Sequence, residues 1–164
     1  MLRGRMPHEL RPGSSESEHE RVACVLLVDD DQLDLSTLRM LLEISGGFRV
    51  LEFADPLQAI LELERTLVDI VISDYMMPGI NGMDLLKKAR ALQPQAMRIL
   101  LTGYADKQNA TRALKEAGVY QYMEKPWDNE CLLLLLRNAL QEKDLRQQQS
   151  VEFLARGAAR QNSS

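Results

Sequence analysis

The stretch Cys24-Val25-Leu26-Leu27-Val28-Asp29-Asp30-Asp31 decides the fold. Five apolar residues without interruption suit a strand buried on both faces, as in a parallel sheet covered by helices on each side. The same form recurs twice. Ile70-Val71-Ile72-Ser73 runs into Asp74, and Tyr120-Gln121-Tyr122-Met123 runs towards Lys125-Pro126. In an open parallel α/β sheet the carboxyl ends of the strands share one edge, and ligands bind in the crevice there. Residues far apart in the chain then meet as a group of carboxylates with one ammonium. Such carboxylates repel one another unless a cation compensates, which points to a divalent metal and a phosphoryl group.

Between these runs, helical spacing alternates with strand-like segments. Leu38, Leu41 and Leu42 mark a helix stopped by Gly46-Gly47. Phe48 to Phe53 reads as a more mixed strand, near an edge. Asp55-Pro56 has the form of a cap followed by proline at the first helical position, with Ala59, Ile60 and Leu63 as the buried stripe. After Met77-Pro78-Gly79 a helix is predicted from about Gly82 to Leu92, then a strand over Arg98–Leu101. A small-residue helical face follows at Ala110, Ala113, Leu114 and Ala117. Asp128 caps a last helix that continues past Gln149. Five β-α units imply a parallel sheet with helices on both faces and right-handed crossovers.

The 164 residues divide into a polar leader over 1–21, a folded unit over 22–142, and a helical extension with a frayed tail over 143–164. The charge, 20 Lys+Arg against 24 Asp+Glu for a net of −4, argues against general binding to nucleic acid or a membrane surface. The leader lacks an apolar core, so it is no secretory signal, and the expected location is the cytoplasm. Cys24 and Cys131 lie in no CxxC or Cys/His cluster and are expected as reduced, mostly buried thiols. Both histidines, His8 and His19, fall in the leader, which removes histidine catalysis from the folded part.

Each motif also has a plain reading. The acidic turn suits Mg²⁺, which takes oxygen ligands and keeps several waters; it equally suits a solvated loop in which Asp31 or Asp34 serves the N-terminus of the next helix. Asp74 can attack phosphorus to give an acyl phosphate, or it satisfies loop amides. The Thr102 hydroxyl before Gly103 can donate to a phosphoryl oxygen, or the glycine only serves a turn. Lys125 can neutralise carboxylates and then hold phosphoryl oxygens, and Pro126 permits a cis peptide; alone it would be a solvated lysine.

Taken together and in order, Val25 to Asp31, Asp69 to Gly79, Ile99 to Gly103 and Tyr122 to Pro126 resemble the receiver domain of two-component response regulators. The resemblance covers about Arg21 to Gln141. It implies a flavodoxin-like fold: a five-stranded parallel sheet of order 2-1-3-4-5, five helices on both faces, and here an extended C-terminal helix. It implies that Asp74 is the phosphoacceptor, taking phosphate from a sensor histidine kinase or phosphotransfer protein. The resemblance further implies that Asp30 is the principal Mg²⁺ carboxylate, supported by Asp29, with Asp74 and the backbone carbonyl of Met76 as further ligands. It implies that Thr102 and Lys125 contact the phosphoryl group, and that Tyr122 is the aromatic switch residue coupled to Thr102. Asp31 stands where glutamate is more usual. Met76 and Tyr104 occupy positions that tune self-hydrolysis, and the apolar Met76 implies slow loss of phosphate.

The segments Leu100–Asp106 and Tyr122–Asp128 resemble a receiver subgroup often joined to HD-GYP phosphodiesterases or hydrogenase-type activators. No second globular segment is read after Gln149. The five leucines Leu132 to Leu136 cannot all face one core at 3.6 residues per turn. A partner surface is therefore expected on the fourth helix, fifth strand and fifth helix, with Trp127 as a possible anchor, serving a downstream effector and a homodimer. In the extension, Lys143 and Gln147 interrupt a weak apolar seam. Two rivals remain. One is a haloacid-dehalogenase-type phosphatase using Asp29 and Asp31, which leaves Asp74 without a role. The other is a phosphate-independent interaction module.

Overall fold

The computed structural model describes residues 21–103 and 106–162. The leader (apart from Arg21), both histidines and Tyr104 lie outside the described residues. The elements alternate strictly: β1 (Ala23–Val28), α1 (Gln32–Ser45), β2 (Phe48–Phe53), α2 (Pro56–Arg65), β3 (Ile70–Asp74), α3 (Gly82–Leu92), β4 (Met97–Thr102), α4 (Lys107–Glu116), β5 (Gln121–Glu124) and α5 (Asn129–Gln161). The sheet has the order β2-β1-β3-β4-β5, and every pairing is parallel.

Burial follows this order. The central strands β1, β3 and β4 are buried along their whole length, whereas β2 and β5 at the edges are mixed. Alternate residues of a strand point to opposite faces, so each central strand feeds two cores. Leu26, Val28, Val71 and Leu100 pack under α2, α3 and α4, against Ala59, Leu86, Ala89 and Ala113. Val25, Leu27, Ile72 and Ile99 pack under α1 and α5, against Leu38, Leu42, Leu132 and Leu136.

Four of the five helices are capped at entry by a short polar side chain, α4 being the exception. Asp31, Asp55, Asn81 and Asp128 each accept a backbone N–H of the helix that follows. The start of α3 is tighter still. A β-carbon on Gly82 would collide with the backbone carbonyl of Asp74, so only glycine lets α3 approach the end of β3. Strand β5 lies one residue later than the apolar pattern predicts. Its pairing with β4 sets its bounds, from Gln121 opposite Ile99 to Glu124 opposite Thr102, and on an edge strand apolar content is a poor guide to the ends.

The leucine run resolves as helical geometry demands. Leu132 and Leu136 are buried, Leu133 and Leu135 half-buried, and Leu134 exposed. The α5 helix runs 33 residues, about 50 Å at 1.5 Å per residue. Its buried positions end at Lys143. Lys143 does not interrupt an outer seam as expected; its ammonium goes inside and meets Asp69 Oδ1 at 2.6 Å. Past Lys143, Leu145, Val151, Phe153 and Leu154 are exposed. Cys24 is buried as expected, but Cys131, in the first turn of α5, is exposed.

Candidate functional site

The carboxyl ends of β1, β3, β4 and β5 bring the predicted residues to one edge. Asp29 follows β1 and is buried, Asp30 beside it is exposed, and Asp74 ends β3 and is buried. One carboxylate oxygen from each of these three lies within 4.8 Å of the others. Lys125 follows β5, with its backbone N–H donating to the Thr102 carbonyl at 2.8 Å. The Lys125–Pro126 peptide is cis, as the sequence allowed. The Lys125 ammonium donates to Asp29 Oδ2 and to Asp34 Oδ2, each at 2.7 Å, and lies 3.2 Å from Asp74 Oδ1.

Thr102 is fully buried at the end of β4, and its hydroxyl donates to the Gly103 carbonyl at 3.2 Å. Tyr122 is half-buried and packs against the core beneath α2, α3 and α4. The Met76 side chain is largely exposed, at 63%. Asp31 stands apart from the carboxylate group. Its Oδ1 accepts the N–H groups of Leu33 and Asp34 as the cap of α1, and its own N–H donates to Asp29 Oδ1 at 2.9 Å. The plain reading was right for Asp31, while Asp34 has a second role that the sequence analysis missed. The signal was its place in the first turn of α1, because helical side chains lean back towards the N-terminus, here towards the sheet edge.

The electrostatics follow from crowding. Burial, and then the charge of Asp29, push the Asp74 carboxyl up to about 6, with Lys125 opposing. Burial also raises Asp29, against the hydrogen bonds from Lys125 and the Asp31 N–H. For Lys125, burial disfavours the charge, but hydrogen bonds to Asp29 and Asp34 outweigh it and hold the ammonium protonated. The Lys125 ammonium thus meets three carboxylates, those of Asp29, Asp34 and Asp74, and Asp30 adds a fourth beside Asp29 and Asp74. The arrangement has a standing deficit of positive charge and a set of hard oxygen donors, which fits Mg²⁺.

The comparisons with known proteins agree with this architecture. The family model described as "Response regulator receiver domain" matches residues 25–137. The hydrogenase transcriptional regulatory protein HoxA of Cupriavidus necator is 35% identical over 126 residues, covering 77% of this chain and 26% of that protein. A cyclic di-GMP phosphodiesterase of Thermotoga maritima is 31% identical, covering 73% of this chain and 31% of that one. Among solved structures, the signal receiver domain of an HD domain-containing protein from Pseudomonas fluorescens Pf-5 superimposes with a TM-score of 0.73 at 35% identity, covering 78% of this chain and 93% of that one. The chain spans about a quarter of the length of the HoxA and DctD relatives that it matches. With its strand order, its acidic edge and its lysine after β5, this chain belongs to the response regulator receiver domain family.

Proposed function

We propose that the chain is a phosphorylation switch in which Asp74 accepts a phosphoryl group from a phosphohistidine donor. The observation that carries this reading is the convergence of Asp29, Asp30 and Asp74 around the Lys125 ammonium at one sheet edge. In the transfer, an Asp74 carboxylate oxygen forms a bond to phosphorus as the donor's P–N bond breaks, and the leaving imidazole nitrogen ends protonated. Asp29, Asp30, Asp74 and the Met76 carbonyl would hold Mg²⁺. The metal supplies charge neutralisation for the incoming oxygens and a template for in-line displacement.

The chain's own groups do the rest. Lys125 keeps its proton and moves its donors from carboxylate to phosphoryl oxygen. Thr102 turns its hydroxyl from the Gly103 carbonyl to the new group, and Tyr122 follows into the vacated space. That movement alters the face built by α4, β5 and α5, where a downstream effector or a second copy binds. The apolar side chain at Met76 orients water poorly, so the acyl phosphate is long-lived.

Incubation with acetyl phosphate and Mg²⁺, read by intact mass, should give one phosphoryl adduct, absent with EDTA and absent in Asp74→Asn. Labelling that persists in Asp74→Asn, or that maps to Asp29, would overturn the assignment. A phosphatase reading through Asp29 and Asp31 finds no favour, since the Asp31 carboxylate caps α1.

A further inference from the structure

At the opposite edge of the sheet three arginines gather without an acid between them. Arg98 is the second residue of β4 and is buried. Arg90 sits in the last turn of α3, and Arg146 comes from α5 three residues beyond Lys143. Together with Gly118 and Tyr120 they line a cavity of about 310 Å³, and among the described residues no carboxylate lines it.

Arg98 is held rigidly. Its Nε donates to the Ala117 and Gly118 carbonyls, both at 3.1 Å, and its Nη1 donates to the Ala96 carbonyl at 2.8 Å and the Pro94 carbonyl at 3.4 Å. Among the described residues, no protein group accepts from its Nη2. Arg90 likewise has no ion pair among the described residues. Both guanidiniums crowd one point: Arg90 Cζ and Arg98 Nη2 each lie 3.2 Å from where a β-carbon on Gly118 would stand. Gly118 has a φ of +59° and no side chain, so the backbone turn favours glycine and a β-carbon there would press on both guanidiniums. The charges nearest Arg98 are like charges. Burial first, then Arg90 and Arg146, lower its guanidinium to about 10. Glu142 meets Arg146 Nε at 2.9 Å and does not line the cavity.

Of the three guanidiniums that line the cavity, only that of Arg146 has an ion-pair partner among the described residues, which leaves two positive charges without one. With Nε and Nη1 taken by carbonyls, the rigid Arg98 keeps Nη2 for a charge-assisted bond to an oxyanion, and the exposed guanidiniums of Arg90 and Arg146 can add theirs. We propose that this cavity binds a phosphate group, as orthophosphate or a small phosphate monoester, whose charge of about −1.5 to −2 at pH 7 comes closest to compensating both. A carboxylate, with one charge, leaves the cluster half compensated. The bound group would clamp the α5 extension to the ends of α3 and α4, on the edge away from Asp74, and the site does not depend on phosphorylation there.

The test is NMR titration of the full chain with orthophosphate and, in parallel, with AMP. EDTA is present, and chloride holds the ionic strength constant. The expected result is saturable shifts of the Gly118, Val119 and Tyr120 amides. Arg90→Gln and Arg146→Gln should each weaken binding about tenfold, the loss of one charge-assisted contact. Tighter binding of AMP marks an organic monoester as the ligand type, and tighter or equal binding of orthophosphate marks the free anion. Arg98→Gln removes four carbonyl contacts and threatens folding, so the two exposed arginines carry the test. Shifts that do not saturate, that persist unchanged in both variants, or that fall only at Gly103 and Lys125 would overturn the proposal.

Discussion

The two edges of this sheet are charged oppositely and solve the problem differently. At the carboxyl edge, Asp29, Asp30, Asp34 and Asp74 outnumber Lys125, and Asp74 is left with a raised pKa. At the amino edge, Asp69 is buried but fully matched. It accepts from Lys143 at 2.6 Å, from Arg21 at 2.9 Å and from the Cys24 N–H at 2.8 Å. Burial alone would raise Asp69, but these donors together hold it below the usual carboxylate range. The difference teaches that a buried acid with matched donors serves the fold, whereas an acid left in excess awaits a cation.

The comparison breaks most readily at its matched end. Lys143→Ala leaves Asp69 with Arg21 and one N–H, and should cost about 3–5 kcal/mol by urea unfolding. The double change Asp69→Asn with Lys143→Met should recover much of that loss, because no charge is then stranded. At the other edge, Gly82→Ala drives a methyl into the Asp74 carbonyl and should cost about 3 kcal/mol in the same assay.

Mg²⁺ sharpens the contrast from the unmatched side. At a hundredfold excess over its Kd it should add about 2.7 kcal/mol to the wild-type chain. It should add far less to Asp74→Asn, as read by thermal unfolding with and without EDTA. Without metal, Asp74 itself is a liability. An acid whose folded pKa of about 6 lies above its unfolded value of 3.8 stabilises the native state below about pH 4. That contribution is lost as pH rises through 6. Asp74→Asn should therefore stabilise the metal-free protein by about 2 kcal/mol at pH 7.5 and flatten its profile between pH 4 and 6. The smallest effect is expected at Asp34, which is partly exposed and shares Lys125 with two other acids. Asp34→Asn should change stability by less than about 1 kcal/mol.

Much of this was legible because burial writes itself locally. The continuous apolar runs of β1 and β3 give both strands, and β2, more mixed in sequence, lies at an edge as its pattern predicts. The caps at Asp55 and Asp128 are readable from one short side chain before a helix. The candidate site was legible to the extent that its residues end strands. Asp29, Asp30, Asp74 and Lys125 do so and meet, whereas Asp34, inside a helix, offered no such cue.

The failures share a cause. Lys143 looked like an interruption of an outer seam, and Arg98 like an ordinary member of a strand, because a cation in a sequence gives no sign of the acid or carbonyl that receives it.

By itself the sequence determined which segments are strands and helices, and that carboxylates and one lysine close the strands, since these follow from apolar period and near-neighbour caps. Only the tertiary structure decided how the charges are shared: Lys125 among three acids, Asp31 with a helix end, Lys143 with Asp69, and three arginines with one another. Those pairings join positions as distant as 96 residues for Lys125 and Asp29, and 74 for Lys143 and Asp69. Coulomb energy depends on the distance in space and on the local dielectric, and neither is set until the sheet has closed.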